Sequence, residues 1–163
     1  MINYKEIRNA VAQGLKKHLG VPVIRGNQTA EAPPYPYAVY NVTTIAGRNN
    51  GTYQKHADGI DRLLVRSIWS FSFLSKDWDE SVILATMARE WFLHSGRTWM
   101  SDRGIIVQSA TDITNRDNIL TVDYERKNGF DVVFYMFDEA GDPAESTDIG
   151  YINNAEFALK TSD

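Results

Sequence analysis

The stretch YERKNGFDVVFYMFD, residues 124–138, decides the fold. Its second half alternates as a strand does, with successive side chains on opposite faces. Phe130, Val132, Phe134 and Met136 point one way, and Val133, Tyr135 and Phe137 the other. Both faces are apolar. A strand in a sheet with one wet side shows polar residues on that side. Something must cover the second face, in this chain or in another. Asn128-Gly129 suits a tight hairpin turn, so strands are expected over 119–126 and 130–137.

Working outward, residues 104–112 read as a short strand, and 77–96 as the strongest helix. Asp77 with Glu80 three residues on makes a capping-box pattern, and Gly96 supplies a stop. Apolar residues occupy more than one stripe of this helix, so it is expected to be buried over much of its girth. Before it, 62–75 reads as a strand with Ile68, Ser70, Ser72 and Leu74 on one face and Trp69, Phe71 and Phe73 on the other. Residues 37–46, rich in β-branched and aromatic types, form another. The polar segment 47–61 between them exceeds the usual hairpin loop and is expected to be a mobile or functional loop. Residues 2–19 repeat Ile7, Val11, Leu15 and Leu19 every four positions, a helix that Gly20 and Pro22 end. The prolines of 21–36 make a connector.

The order α-β-β-α-β-β-β predicts an α+β two-layer sandwich. Two helices pack on one face of a mainly antiparallel sheet, with a long inter-strand loop and an extended arm. At 163 residues one core suffices, with about 70% of the unfolded surface buried. We read 1–137 as a single domain and 138–163 as a C-terminal arm. The arm holds seven acidic residues and one lysine, against 14 acidic and 16 basic residues in the rest. The overall charge of -4 lacks the basic excess of a dedicated nucleic-acid binder. The absence of cysteine removes disulfides, thiolate metal sites and cysteine nucleophiles. The N-terminus has no signal-peptide core, and no run is long enough to span a bilayer, so no membrane association is expected.

Few residues suggest chemistry. His18 and His94 stand near helix ends, where a histidine commonly caps the dipole or faces water. His56, Asp58 and Asp61 share one loop, a pattern that a solvated turn explains better than a metal site. Asp123, Glu125 and Lys127 would share one strand face. The Glu-X-Lys pair resembles the metal-and-water half of the restriction-endonuclease-like nucleases, in which carboxylates hold a divalent ion and lysine supports the attacking water. Alternating charges on a hairpin's outer face give the same three residues. GxSxG, HExxH and phosphate-cradling glycine loops are missing. Arg62 and Arg66, with Arg48, could meet a phosphate backbone; salt bridging to acids of a neighbouring strand or subunit is the preferred reading. No cofactor is expected. Contiguous apolar surface points instead to a protein partner. Arg48, Tyr53, His56, Arg62, Arg66, Val133, Tyr135, Phe137, Tyr151 and Phe157 are the candidate interface residues.

The second half carries a resemblance. The strand SIWSFSFLS, the helix DWDESVILATMAREWFLHSG, the short GIIV strand and the closing segment VDYERKNGFDVVF resemble the neck or tail terminator proteins of tailed bacteriophages and prophages. The closing pattern Tyr-Glu-Arg-basic-X-Gly-Phe-Asp-apolar spans 124–132, and the resemblance covers roughly 36–137. It implies a non-enzymatic virion protein that forms a ring, commonly hexameric, on top of the tail tube. The ring would stop tube polymerisation and offer a surface to the head–tail connector. Its partners would be itself, the tail tube protein and the neck proteins, with DNA passing through the lumen unbound. It would be assembled in the host bacterial cytoplasm and end at the neck of the virion. Against it stand two other readings, a metal-dependent nuclease using Asp123, Glu125 and Lys127, and a small protein-binding adaptor.

Overall fold

The structure is a computed structural model and describes residues 1–27, 30–48, 51–117 and 125–140, with Arg48 described by its backbone alone. Helix α1, Tyr4–Leu19, is capped by the Asn3 side chain at one end and by left-handed Gly20 at the other. Strands β1 (Val23–Arg25), β2 (Tyr37–Arg48), β3 (Gln54–Lys55) and β4 (Asp61–Ser75) follow. Helices α2 (Trp78–Leu93) and α3 (Arg97–Ser101) lead to β5 (Ile106–Ala110), β6 (Thr114–Asn115) and β7 (Arg126–Ala140). The sheet order is β1-β2-β4-β7-β5, with β3 beside β4 and β6 beside β7. β1 runs parallel to β2, and the other pairs are antiparallel. The expected α+β sandwich is the observed class.

One face of the sheet carries the core. Trp69, Phe71 and Phe73 of β4 meet Phe130, Val132 and Phe134 of β7 beneath α1 and α2. Phe92 of α2 stacks into them, its ring 4.9 Å from Phe71 and 5.7 Å from Phe134. Trp69 meets Phe134 edge-on at 5.4 Å. Such pairs add about 0.5–1.5 kcal/mol each beyond the area they bury. The helices therefore cover the even-numbered residues of β7. Val133, Tyr135 and Phe137 lie on the other face.

Five details correct the sequence reading. First, Asn128-Gly129 is not a turn. Both residues sit inside one fifteen-residue strand, paired with Phe73 and Ser72 of β4. Gly129 is needed for close approach: a Cβ there would lie 2.1 Å from the Phe71 carbonyl oxygen. Asn128 is buried, and its backbone N–H and Nδ2 both donate to Ser81 Oγ, which itself donates to the Phe73 carbonyl. The expected strand over 119–126 falls almost wholly outside the described residues. Second, the connector holds β1, because Val23 to Arg25 find partners in Ala38 to Tyr40. Third, much of the long loop belongs to the sheet. β2 runs on to Arg48, and β3 pairs with the start of β4 as a small hairpin. Fourth, α2 is not buried all round: Trp78, Ile83 and Met87 are exposed. Its cap also differs from a capping box. Asp77 accepts from the Asp79 N–H, while the Glu80 carboxylate takes the Ser75 hydroxyl. Fifth, Gly96 serves Trp91 rather than only a stop, since a Cβ there would lie 2.4 Å from that ring; α3 begins immediately after it.

Trp91 and Trp99 also crowd Gly14, the point where α1 crosses the helical layer. A Cβ at Gly14 would lie 2.5 Å from Trp99 Nε1 and 2.9 Å from the Trp91 ring. Alanine in a helix interior is normally favoured over glycine by about 1 kcal/mol. Overpacking two rigid rings costs about 1–3 kcal/mol. Gly14→Ala is therefore expected to lower the thermal midpoint rather than raise it, as a calorimetric melt would show.

Candidate assembly interface

The outer face of the sheet has two halves. One half is polar and strapped. Arg116, just after β6, reaches back over Gly129: Nη1 donates to Ser70 Oγ at 2.6 Å and to the Phe71 carbonyl at 3.2 Å, and Nη2 donates to Asp131 at 2.9 Å. This arginine gave no signal in the sequence, because the strap depends on β6 pairing with β7, and its serine partner lies 46 residues away.

The other half is apolar and open. Register fixes its members: Leu64 lies opposite Phe137, Arg66 opposite Tyr135, and Ile68 opposite Val133. Ile106 of β5 joins them beside Tyr135. Leu64 is 40% exposed, Ile106 43% and Phe137 50%, while Ile68, Val133 and Tyr135 are half-buried. Of the candidate interface residues, Val133, Tyr135 and Phe137 lie on this half; Leu64 and Ile106 lie there too and were not among the candidates. Extending the alternation of β4 back from Ile68 would have found Leu64.

The charges at this end are unequal in their pairing. Arg62 holds Asp58 at 2.8 Å and Glu139 at 2.9 Å. Salt bridging to nearby acids, the reading preferred for these arginines, holds for Arg62 within the chain. Arg66 differs, since its Nε is buried with no hydrogen-bond partner among the described residues. Arg48 joins β2 opposite Val65. His56 stands in the turn of the β3–β4 hairpin, where its carbonyl accepts from Gly59 and Asp58 accepts from the Ile60 N–H. Among the described residues, no group of three or more histidines and carboxylates could hold a metal ion. Asp123 of the nuclease pattern, and Tyr151 and Phe157 of the candidate interface, lie outside the described residues. Lys127 lies in β7 opposite Leu74, and Glu125 precedes that strand.

Tyr53 is held by Asp138 on the helix side of the sheet, beside the start of α1. Its hydroxyl donates to Oδ2 at 2.6 Å, and the Ile2 N–H donates to Oδ1 at 3.0 Å. The Tyr53 bond is the main reason that the Asp138 carboxyl lies below its usual value; the Met1 amine and the Ile2 N–H help, against some opposing desolvation. A depressed carboxylate adds stability above its ordinary value, near 3.8, and loses it as pH falls through the lower folded value. The melting-temperature gap between the natural chain and Asp138→Asn is thus expected to stay level near neutrality and to close below about pH 3.8. A gap that widens in acid would contradict this assignment.

A family model described as phage neck terminator protein matches residues 5–162. The chain belongs to the phage neck terminator family. The match runs through nearly the whole chain, past the 36–137 of the sequence resemblance and into the acidic arm. The family is structural, which makes this neck terminator a virion component. No curated protein matches the chain. One solved structure aligns with 85% of this chain and 98% of its own at 12% identity, with a TM-score of 0.37, a likeness that carries no argument. Among the described residues, no helix of the neck terminator is long and apolar enough to cross a membrane.

Proposed function

We propose that this neck terminator is a non-enzymatic ring subunit that caps the tail tube, ends its polymerisation and presents a surface to the head connector. The observation that supports the reading is the open apolar half of the outer sheet face. A patch of this kind on a structural protein is an assembly surface waiting for a partner. A ring built from identical chains, six in the expected form, would bury it in a head-to-tail contact between neighbours. Tail tube protein on one side and connector proteins on the other complete the set of partners. The net charge of -4 suits a lumen through which DNA slides without being held. Assembly takes place in the host cytoplasm, and the finished ring stays in the virion neck.

The test is electron microscopy of lysates from the parent phage or prophage with this gene disrupted. Tails of uncontrolled length, or heads and tails left unjoined, are the expected result. Normal virions would remove the structural role.

A further inference from the structure

We propose that the open half of the outer sheet face is the seat for residues 141–163 of a neighbouring copy, so that one subunit's C-terminal arm lies on the next subunit's sheet. The inference rests on the ring reading above and names the contact that would close it.

Three observations converge on this occupant. The first is chemical kind. The seat offers Leu64, Ile68, Ile106, Val133, Tyr135 and Phe137. The arm offers Ile149, Tyr151, Ile152, Phe157 and Leu159. Among the described residues, α1 and α2 already cover the inner face, which leaves the outer face to receive such side chains.

The second is charge. The seat contains Arg66, whose buried Nε lacks a partner among the described residues, while the nearby Arg62 already holds two carboxylates. Residues 141–163 carry five acidic residues, Asp142, Glu145, Asp148, Glu156 and Asp163, against Lys160 alone. A carboxylate delivered with the apolar residues would satisfy the guanidinium in a charge-assisted hydrogen bond. Two seats packed against each other would instead bury two Arg66 cations with no acid between them, a costly arrangement. The complementary halves of the contact therefore sit on different parts of the chain. That makes the contact heterologous, the kind that propagates from copy to copy and closes into a ring.

The third is reach. β7 ends at Ala140, three residues beyond Phe137. The eight polar or small residues from Gly141 to Asp148 come before the first large apolar side chain. Extended, they span about 26 Å at 3.3 Å per residue, enough to pass from one subunit to the next before docking begins.

The chain has no cysteine, so single cysteines can report the contact in the full-length protein. Chains carrying Val133→Cys or Ile106→Cys are mixed with size-tagged chains carrying Tyr151→Cys or Phe157→Cys, then oxidised and run on a non-reducing gel. Circular dichroism checks that each variant is folded. Ile83→Cys, on the exposed side of α2 in the opposite layer, is the control. The expected result is a tagged–untagged heterodimer at least about tenfold above the control, since docking raises the effective concentration of the paired thiols. Heterodimer no stronger than the control overturns the proposal. A chain carrying both substitutions that yields only an intrachain cross-link also overturns it, because the arm then seats on its own sheet. The same samples are imaged for rings. Rings without heterodimer leave the ring reading standing and sink the arm contact alone; normal virions after gene disruption would sink the ring reading itself.

Discussion

Phe134→Asp is expected to leave no folded protein, whereas Val133→Asp, one residue back along the same strand, folds and fails to assemble. Phe134 is fully buried between Trp69, Phe92 and the helical layer. Removing its ring alone costs about 3–5 kcal/mol. The carboxylate left in its place has no cation within the aromatic core, and an uncompensated buried charge adds several kcal/mol more. Together these approach or exceed the whole stability of a typical domain, about 5–15 kcal/mol. Val133 faces the other way, half-buried beside Ile68 in the open patch. A carboxylate there stays in reach of water, and the expected loss is about 1 kcal/mol or less, in the range of surface substitutions. Its effect falls on the contact instead, because a subunit seated on the patch would have to desolvate the charge. Circular dichroism melts separate the first variant from the second, and light scattering at high concentration reads assembly. An unfolded Val133→Asp would contradict the placement of that face. A folded Val133→Asp that still forms rings would show that the ring closes elsewhere.

Gly129→Ala is expected to lower stability by about 3 kcal/mol or more, the upper end of the cost of overpacking. The obstacle is the Phe71 carbonyl oxygen, 2.1 Å from the added carbon, with the Ser72 Cα and the Arg116 guanidinium both 3.1 Å away. A side chain could swing aside. A carbonyl within the central β4–β7 ladder cannot move without disturbing that ladder, and moving Arg116 would loosen the strap to Ser70 and Asp131. For a chain of this size each kcal/mol is worth about 2–4 °C, so a fall of roughly 6–12 °C in the melting temperature is expected. A neutral Gly129→Ala would mean that β4 and β7 lie farther apart there than they do in this fold. If Gly129 were a turn glycine, the penalty would instead come from its backbone conformation, and Gly129→Asn would be well tolerated. In a strand interior against a carbonyl, asparagine is expected to do worse than alanine.

The period-two pattern of 130–137 and the period-four pattern of α1 needed no tertiary context, because burial on one side of a strand or helix writes itself into residue spacing. For that reason the α+β class, the two long helices and the double-sided greasiness of β7 were legible. The family pattern was legible too, since it lies in the same closing segment. Three things were not. Asn128-Gly129 has the composition of a turn, and only the pairing with Phe73 and Ser72 shows that glycine is there to let a carbonyl pass. β1 and β3 are three and two residues long, too short for any periodicity to register; they exist because β2 and β4 offer them an edge. The patch of Leu64, Ile106 and Phe137 joins three strands that are far apart in sequence. Alternation shows that each strand has a second apolar face. Which of the two faces the helices take, and so which is left open to a partner, is a matter of packing between distant segments, and the tertiary structure alone decides it.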